Sequence, residues 1–223
     1  MSLTEPAVTL TDYALAIECV AFVLLLMRGD AGDRTLRFWF VVFFASAAAA
    51  SLLGGTVHGF FPDTANETRQ ILWKATLLAI LVTSLAGWNI GATILFSGRG
   101  ATVVRGLAIV QLVLLALIVL FVRPEFLMAI VAYVPATLFL LIALIAAYRS
   151  RRLPPLRWGI IGLGLTFVAA AVQRLHLSVH PYYFNHNALY HVIQGVALWM
   201  IFLGARSIST ARPPIRRMHA IPT

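Results

Sequence analysis

Seven long apolar runs dominate the sequence, and short polar segments separate them. Charge-free stretches cover 38–57, 75–98, 106–122, 126–148, 158–173 and 187–205, and a seventh run, about 10–27, is interrupted only by Asp12 and Glu18. A hydrocarbon core about 30 Å thick takes roughly 20 residues of helix per crossing. The alternation typical of barrel strands is absent, and helices satisfy their own backbone in lipid. The pattern therefore predicts an all-α integral membrane bundle of seven helices.

The polar connections set the predicted boundaries. We expect one seven-transmembrane domain over 1–207, with helices at about 10–27, 37–60, 70–97, 103–122, 126–148, 157–176 and 185–206. The Arg- and Pro-rich segment 208–223 predicts a disordered basic cytoplasmic tail. Helices 4 and 5 are almost purely apolar, so we expect them to face lipid. The other five helices carry polar residues and should surround any site.

Basic side chains are distributed unevenly between the two sets of loops. The chain is 61% hydrophobic and has a formal net charge of +9. Thirteen lysines and arginines lie in loops 1–2, 3–4 and 5–6 and after helix 7, and four lie on the other side: Arg69, Lys74, Arg123 and Arg174. Such an excess marks cytoplasmic loops. The charge therefore indicates an outside N-terminus and a cytoplasmic C-terminus, with no nucleic-acid partner, and the Arg- and Ala-rich composition favours a bacterial inner membrane.

Five of the six histidines are predicted to lie at one end of this bundle: His58, His176, His180, His186 and His191. An ionisable side chain at membrane depth is costly and usually faces the interior of a bundle. This end is therefore the candidate functional site.

The end of helix 2 presents one polar and small-residue face. Ser51, Gly54, Gly55 and His58 stand at i, i+3, i+4 and i+7, which places them on the same side of a helix. One interpretation is a packing face, because small residues let membrane helices approach closely. The other is that His58 binds a metal or acts as an acid or base.

Helices 6 and 7 carry further polar residues. Asn187, His191 and Gln194 share a face of helix 7, and such a stripe should point inward, either as an interhelical hydrogen-bond network or as part of a site. His176 and His180 at i and i+4 could reach one metal. Alternatively, they are interfacial residues in an aromatic belt.

Glu18 is the deepest carboxylate in the predicted bundle, and Lys74 is the lone lysine of the chain. Charges inside a bundle normally find partners, so one interpretation pairs Glu18 or Asp12 with Lys74 or Arg174. The other is that Glu18 coordinates a cation or orients a histidine.

Signatures of several enzyme classes are absent. The sequence contains no Gly-x-Ser-x-Gly elbow, no HExxH and no phosphate loop, and its single cysteine, Cys19, excludes an internal disulfide and a Cys-based zinc site. Helix 7 has no lysine, which argues against a retinal Schiff base.

The order of these residues resembles the CREST superfamily of seven-helix proteins, which includes alkaline ceramidases, Per1-like proteins and progestin-and-adipoQ receptors. His58 stands where the family has a zinc ligand at the end of helix 2. Asn187-Ala-Leu-Tyr190-His191 is similar to the family's His-Ala-Leu-Trp-His, so His191 matches the second helix-7 ligand. Glu18 is similar in placement to a helix-1 glutamate of the ceramidases. The resemblance implies a zinc site at this end.

The chain departs from the family pattern at several positions. Asn187 replaces the first helix-7 ligand, and His186 beside it is rotated by about 100°. Gly54 replaces the serine one turn before His58, leaving Ser51 a turn further back. Helix 3 lacks the family's aspartate, and its nearest ionisable residue is Lys74. The resemblance therefore implies a degenerate site.

Three functions stay open from the sequence. The first is a zinc-dependent membrane hydrolase acting on a lipid amide or ester, and the second is a non-catalytic CREST-like protein that binds a lipid or a partner or buffers a proton. The third is a b-type haem protein with His58 and His191 as axial ligands.

The zinc hydrolase hypothesis assigns a role to each candidate residue. His58, His191 and His186 would hold the metal, and His180 or His176 could replace His186. Glu18 and Ser51 would act in catalysis, with Asp63 as a second candidate acid or base. The supporting residues would be Asn187, Gln194, Lys74 and His180. The expected partner is a membrane lipid.

Overall fold

Seven helices make up almost all of the described chain. The computed structural model describes residues 3–29, 32–151, 153–180 and 183–210. The helices are α1 (Pro6–Met27), α2 (Arg34–Phe60), α3 (Glu67–Leu95), α4 (Arg99–Phe121), α5 (Phe126–Arg151), α6 (Leu156–Arg174) and α7 (His186–Thr210). Each is long and apolar enough to cross a bilayer. The chain is therefore an all-α integral membrane bundle, as the hydrophobic pattern predicts.

Local capping sets where several helices begin. Pro6 stands in the first turn of α1, where its missing N–H costs nothing, and α1 starts there rather than near residue 10. The Asp33 carboxylate accepts hydrogen bonds from the backbone N–H groups of Thr35 and Leu36, at 2.9 and 3.1 Å. This cap explains why α2 begins before the apolar run does.

The C-terminal boundary also differs from the expected one. α7 continues to Thr210, a few residues beyond the expected end near 206. The predicted disordered tail falls mostly on residues 211–223, which lie outside the described residues.

Six of the helices form a ring. In the order α1, α2, α3, α5, α6 and α7, each contacts the next, and α7 contacts α1. α4 lies outside the ring against α3 and α5. Successive helices alternate in direction, so α1, α3, α5 and α7 begin at the end where α2, α4 and α6 finish. We call this end the histidine end and the opposite one the arginine end.

A cluster of aromatic rings fills the interior between α1, α2 and α7. The rings of Phe22 and Phe202 stack with centroids 4.4 Å apart, and Phe44 meets Phe22 edge-on at 5.2 Å. All three side chains are buried. Such pairs contribute about 0.5–1.5 kcal/mol beyond the area they bury, so this part of the interior is held together by apolar contacts.

α5 faces lipid on one side only, which corrects the expectation for this helix. It packs against α3 and α6 through a buried face of small residues that permits close approach: Ala129, Ala132, Ala136, Ala143 and Ala147. Tyr133 of α5 lies close to Cys19 of α1 and Gln194 of α7. α5 therefore belongs to the wall of the interior, whereas α4 is peripheral.

A proline in α5 is compensated by a side chain of α4. Pro135 lies inside the helix and has no N–H to offer the Val131 carbonyl one turn earlier. The Gln111 side chain of α4 donates to that carbonyl from Nε2, at 3.5 Å, and its Oε1 accepts from Trp88 Nε1 at 2.8 Å. Gln111 thus links the outer helix to α3 and α5.

The contact between α6 and α7 depends on Gly162. A Cβ at this position would stand 2.5 Å from the Ala197 carbonyl oxygen, whereas a Cβ at Gly164 on the same helix would meet nothing within 4 Å. We therefore expect Gly162→Ala to destabilise the protein by about 1–3 kcal/mol through overpacking. The matched change Gly164→Ala should be neutral or stabilising by up to about 1 kcal/mol, because alanine is the better helix former.

Thermal unfolding in detergent, followed by circular dichroism, measures both effects. Equal melting temperatures for the two variants would contradict the close α6–α7 contact.

Candidate functional site

A buried carboxylate and imidazole meet at the histidine end. Asp12 of α1 and His191 of α7 face each other with Oδ1 and Nε2 3.4 Å apart, and their side chains are 7% and 11% exposed. The other ring nitrogen, Nδ1, lies 3.1 Å from the hydroxyl oxygen of Thr11. His191 is therefore held on both sides by α1, and Asp12 pairs with it rather than with a lysine or arginine.

The glycine pair of α2 makes room for Asp12. A Cβ at Gly55 would stand 2.8 Å from the Asp12 Cβ, and one at Gly54 would stand 3.7 Å from the Asp12 Oδ2. Both glycines are buried. The small-residue face of α2 thus packs against α1, through the side chains of Asp12 and Tyr13.

His58 belongs to a second and more exposed pair. Its Nδ1 lies 3.4 Å from Oε2 of Glu5, the residue that precedes α1, and the two side chains are 26% and 40% exposed. The Thr4 N–H donates to the Gly59 carbonyl at 3.1 Å and fixes this segment on the end of α2. His58 is also close enough to His191 for electrostatic interaction.

The remaining histidines of this end form separate contacts. The rings of His176 and His186 lie with centroids 4.5 Å apart, and Glu5 is close enough to His186 for electrostatic interaction. The Nδ1 of His180 accepts a hydrogen bond from the Tyr183 N–H at 3.1 Å. His180 is exposed in the α6–α7 connection, apart from the buried pair.

The polar residues of α7 bind to α6. Asn187 accepts a hydrogen bond at Oδ1 from Gln173 Nε2, at 3.4 Å, and Gln194 Nε2 donates to the Thr166 hydroxyl at 3.5 Å. Gln194 is buried, and its Oε1 has no hydrogen-bond partner among the described residues. Asn187 and Gln194 thus join two helices beside the site.

Three of the predicted site residues lie away from the histidines. Glu18 is half-buried, and its Oε2 would stand 3.2 Å from a Cβ at Gly195 of α7. Lys74 donates from Nζ to the Leu120 carbonyl at the end of α4, at 3.1 Å. Within the described chain, the Ser51 hydroxyl makes no hydrogen bond to either His58 or His191.

The donors at this end do not fit a single zinc ion as they stand. A zinc site uses about four ligands, of which a catalytic one draws three from the protein. Across the described ranges, no three His, Cys, Asp or Glu side chains are grouped so that they could hold one metal ion. His58, His191 and His186, the three predicted ligands, instead contact Glu5, Asp12 and His176.

Asp12, Thr11 and Glu5 are the site residues that the sequence analysis did not select. One signal for Asp12 exists, since it shares a helical stripe with residues that all prove buried: Val8, Leu15, Cys19, Phe22 and Leu26. Glu18 lies off this stripe, because it is six residues, or about 1.7 turns, after Asp12. The other residues of α1 are mostly apolar on every side, so the hydrophobic pattern does not show which side is buried.

Removal of His191 should cost more stability than removal of His58. His191→Ala leaves the buried Asp12 carboxyl group without its hydrogen-bond partner, which typically costs about 1–3 kcal/mol. His58→Ala breaks a partly exposed pair and should cost less than about 1 kcal/mol. Denaturant unfolding in mixed micelles measures the free energy of unfolding of both variants. Asp12→Asn, alone and combined with His191→Ala, completes a double-mutant cycle for the buried pair. A larger loss for His58→Ala would contradict the assignment of the buried pair.

The comparison with known protein families covers almost the whole chain. The profile of a family described as "Family of unknown function (DUF6962)" matches residues 7–210, which includes all seven helices and the Asp12–His191 pair. No curated protein and no solved structure matches the chain. The protein therefore belongs to the DUF6962 family.

Proposed function

We propose that this protein is a non-catalytic membrane protein whose Asp12–His191 pair binds one proton near the outer leaflet. The observation that carries this proposal is the 3.4 Å separation of Asp12 Oδ1 and His191 Nε2, with both side chains almost fully buried. Ionisable groups in such positions mark proton relays and ligand sites in many membrane proteins.

The hydrogen bonds of Thr11 support a protonated pair in one tautomer of His191. The Thr11 hydroxyl oxygen lies 2.8 Å from the Ala7 carbonyl, 3.0 Å from the Val8 carbonyl and 3.1 Å from Nδ1 of His191. When the hydroxyl donates to a carbonyl, its oxygen accepts from Nδ1, and in a neutral imidazole Nε2 then carries a lone pair that faces Asp12. In this tautomer, one further proton between Nε2 and Oδ1 turns a repulsive contact into an attractive one.

Burial favours the protonated pair over the unprotonated one. Without the shared proton, the Asp12 carboxylate is a negative charge that the apolar surroundings cannot compensate. With the proton, the pair is neutral overall, either as carboxylic acid and imidazole or as carboxylate and imidazolium. The site thus binds a proton as a unit, and neither residue titrates alone.

A series of titratable groups leads from the exposed end to this pair. His176 and His186 are in ring contact, and Glu5 lies within electrostatic reach of His186 and pairs with His58. His58 in turn lies within electrostatic reach of His191. Histidine is suited to pass protons near neutral pH because its ordinary pKa is about 6.5.

Infrared difference spectroscopy across a pH step tests the shared proton. Wild-type protein should show imidazole and carboxyl bands that disappear together in Asp12→Asn and in His191→Gln, because one proton needs both partners. Glu18→Gln, which removes another half-buried carboxyl of α1, is the matched control and should leave these bands in place. If Asp12→Asn retains the wild-type imidazole band, the two residues titrate independently and the proposal fails.

The proposal includes an orientation in the membrane, which is argued from the basic residues. The arginine end of the described chain carries most of the basic residues: Arg28, Arg34, Arg37, Arg99, Arg105, Arg149, Arg157 and Arg206. The positive-inside rule supports a cytoplasmic position for this end. The buried pair would then open toward the outer face of a bacterial inner membrane, with the N-terminus outside and the C-terminus in the cytoplasm.

A zinc-dependent hydrolase of lipid amides or esters is the second candidate function. The observation that favours it is the position of His58 and His191 at the same end and within electrostatic reach of each other. A third ligand is needed, and His186 would have to leave its contact with His176 to supply it. Glu18 and Ser51 would also have to approach the histidines.

Elemental analysis of detergent-purified protein separates the two candidates. Near-stoichiometric zinc that both His58→Ala and His191→Ala abolish would support the hydrolase, and lipid amides and esters would then be the substrates to screen. A metal-free protein that keeps its pH-dependent infrared bands would support the proton site. An absorbance spectrum of the same sample tests the haem hypothesis, because bound haem shows a Soret band.

A further inference from the structure

A basic cavity lies at the arginine end, between the last turns of α1 and α7 and the start of α2. Its volume is about 280 Å³. Three arginines line it, one from each helix or its cap: Arg28, Arg37 and Arg206. Leu25 and Leu26 of α1 form its apolar wall. The cavity therefore combines cationic groups with a surface that suits hydrocarbon.

The loop between α1 and α2 closes the cavity on one side. The Asp33 N–H donates to the Ser209 carbonyl at 2.9 Å, which holds the loop on the last turn of α7. Gly32 has φ +97°, a value that L side chains rarely adopt, and a Cβ there would collide with the Ser209 carbonyl. The cavity is thus built by a specific backbone contact.

Two observations indicate a ligand of negative charge. Arg28 and Arg206 have no acidic partner within ion-pair distance among the described residues. Ser209, a residue of the cavity lining, is 1% exposed, and its buried hydroxyl has no hydrogen-bond partner in the described part of the chain. An unsatisfied buried hydroxyl costs free energy, and most such groups have a partner.

A structural role explains the arginines only in part. Basic side chains near helix C-termini interact favourably with the helix dipole. Arg28 is the C-cap residue of α1, whereas Arg206 lies one turn before the end of α7. This effect needs no cavity and no hydroxyl group. It does not account for arginines from three helices around one cavity, or for the unsatisfied Ser209.

We propose that this cavity binds a phosphate group, supplied by the headgroup of an anionic phospholipid or by a water-soluble phosphate. The guanidinium groups of Arg28 and Arg206 match phosphate oxygens in geometry and charge. The Ser209 hydroxyl donates to the same phosphate. Arg37 has an interaction of its own and adds to the positive potential.

A second crevice provides a path for an acyl chain. Its volume is about 350 Å³, and it shares Arg37 with the first cavity. Arg34 also lines it, and Met27, Phe38 and Val41 supply its apolar part. A headgroup bound at the arginines would therefore have an open, partly apolar surface beside it, which favours the phospholipid as the source of the phosphate.

Native mass spectrometry of the full chain in detergent tests the proposal with two probes. Phosphatidylglycerol is titrated into the micelles in one arm, and inorganic phosphate is added in the other. Wild-type protein should retain one phosphatidylglycerol, and Arg28→Gln and Arg206→Gln should each reduce its retention by roughly tenfold. Arg157→Gln removes an exposed arginine of the same end and is the matched control.

Ser209→Ala separates ligand binding from folding. Because the buried hydroxyl is unsatisfied, its removal should leave the melting temperature of the ligand-free protein unchanged or higher. The same change should weaken retention of phosphatidylglycerol by a few-fold. Loss of binding without loss of stability is not expected of a purely structural residue.

The outcomes distinguish the two sources and the failure of the proposal. Retention of phosphatidylglycerol that depends on Arg28, Arg206 and Ser209 supports the lipid headgroup. Retention of inorganic phosphate, without retention of lipid, supports a water-soluble phosphate. Equal retention of both probes by wild type and by the Arg28→Gln/Arg206→Gln double variant would overturn the proposal. None of these results depends on the Asp12–His191 proton site.

Discussion

The ring of helices closes through α1, and the Asp12–His191 pair is the polar contact on which that closure depends. α1 lies between α2 and α7, and Asp12 touches both neighbours: its carboxylate faces His191, and its Cβ fits against Gly55. Lipid offers no hydrogen bonds, so a buried carboxylate must be satisfied inside the bundle. Below this contact the interaction between the same helices is aromatic, through Phe22 and Phe202. The contact of α1 with α7 is therefore polar at the histidine end and aromatic further along the two helices.

Hydrophobic length made the fold predictable, because the number of crossings is fixed by how much helix a bilayer requires. Seven apolar runs gave seven helices. The order of helices around the ring was not predictable in the same way. α5 shows why: its buried alanines and its lipid-facing leucines are both apolar, so hydropathy does not separate them. In a soluble protein the exposed face would be polar and would reveal the packing.

The candidate site was predictable as a location but not as a set of contacts. Alternation of helix direction brings His58, His186 and His191 to one end whatever the packing. Which carboxylate each histidine meets depends on how α1 is rotated about its own axis. Apart from Asp12 and Glu18, α1 is mostly apolar on every side, so the sequence does not indicate this rotation. Glu18 stood out in the sequence because it lies deeper, whereas Asp12 is the residue that faces His191.

The Gln111 bridge has a consequence for how the bundle is inserted. The break that Pro135 makes in α5 leaves the Val131 carbonyl for Gln111 of α4 to satisfy. During synthesis α4 enters the membrane before α5, so the side chain that completes α5 is already in the bilayer when the proline arrives. α4 lies outside the ring, yet it carries the donor that satisfies a carbonyl group of its successor. A helix at the periphery of the bundle can thus complete the hydrogen bonding of a helix in the wall.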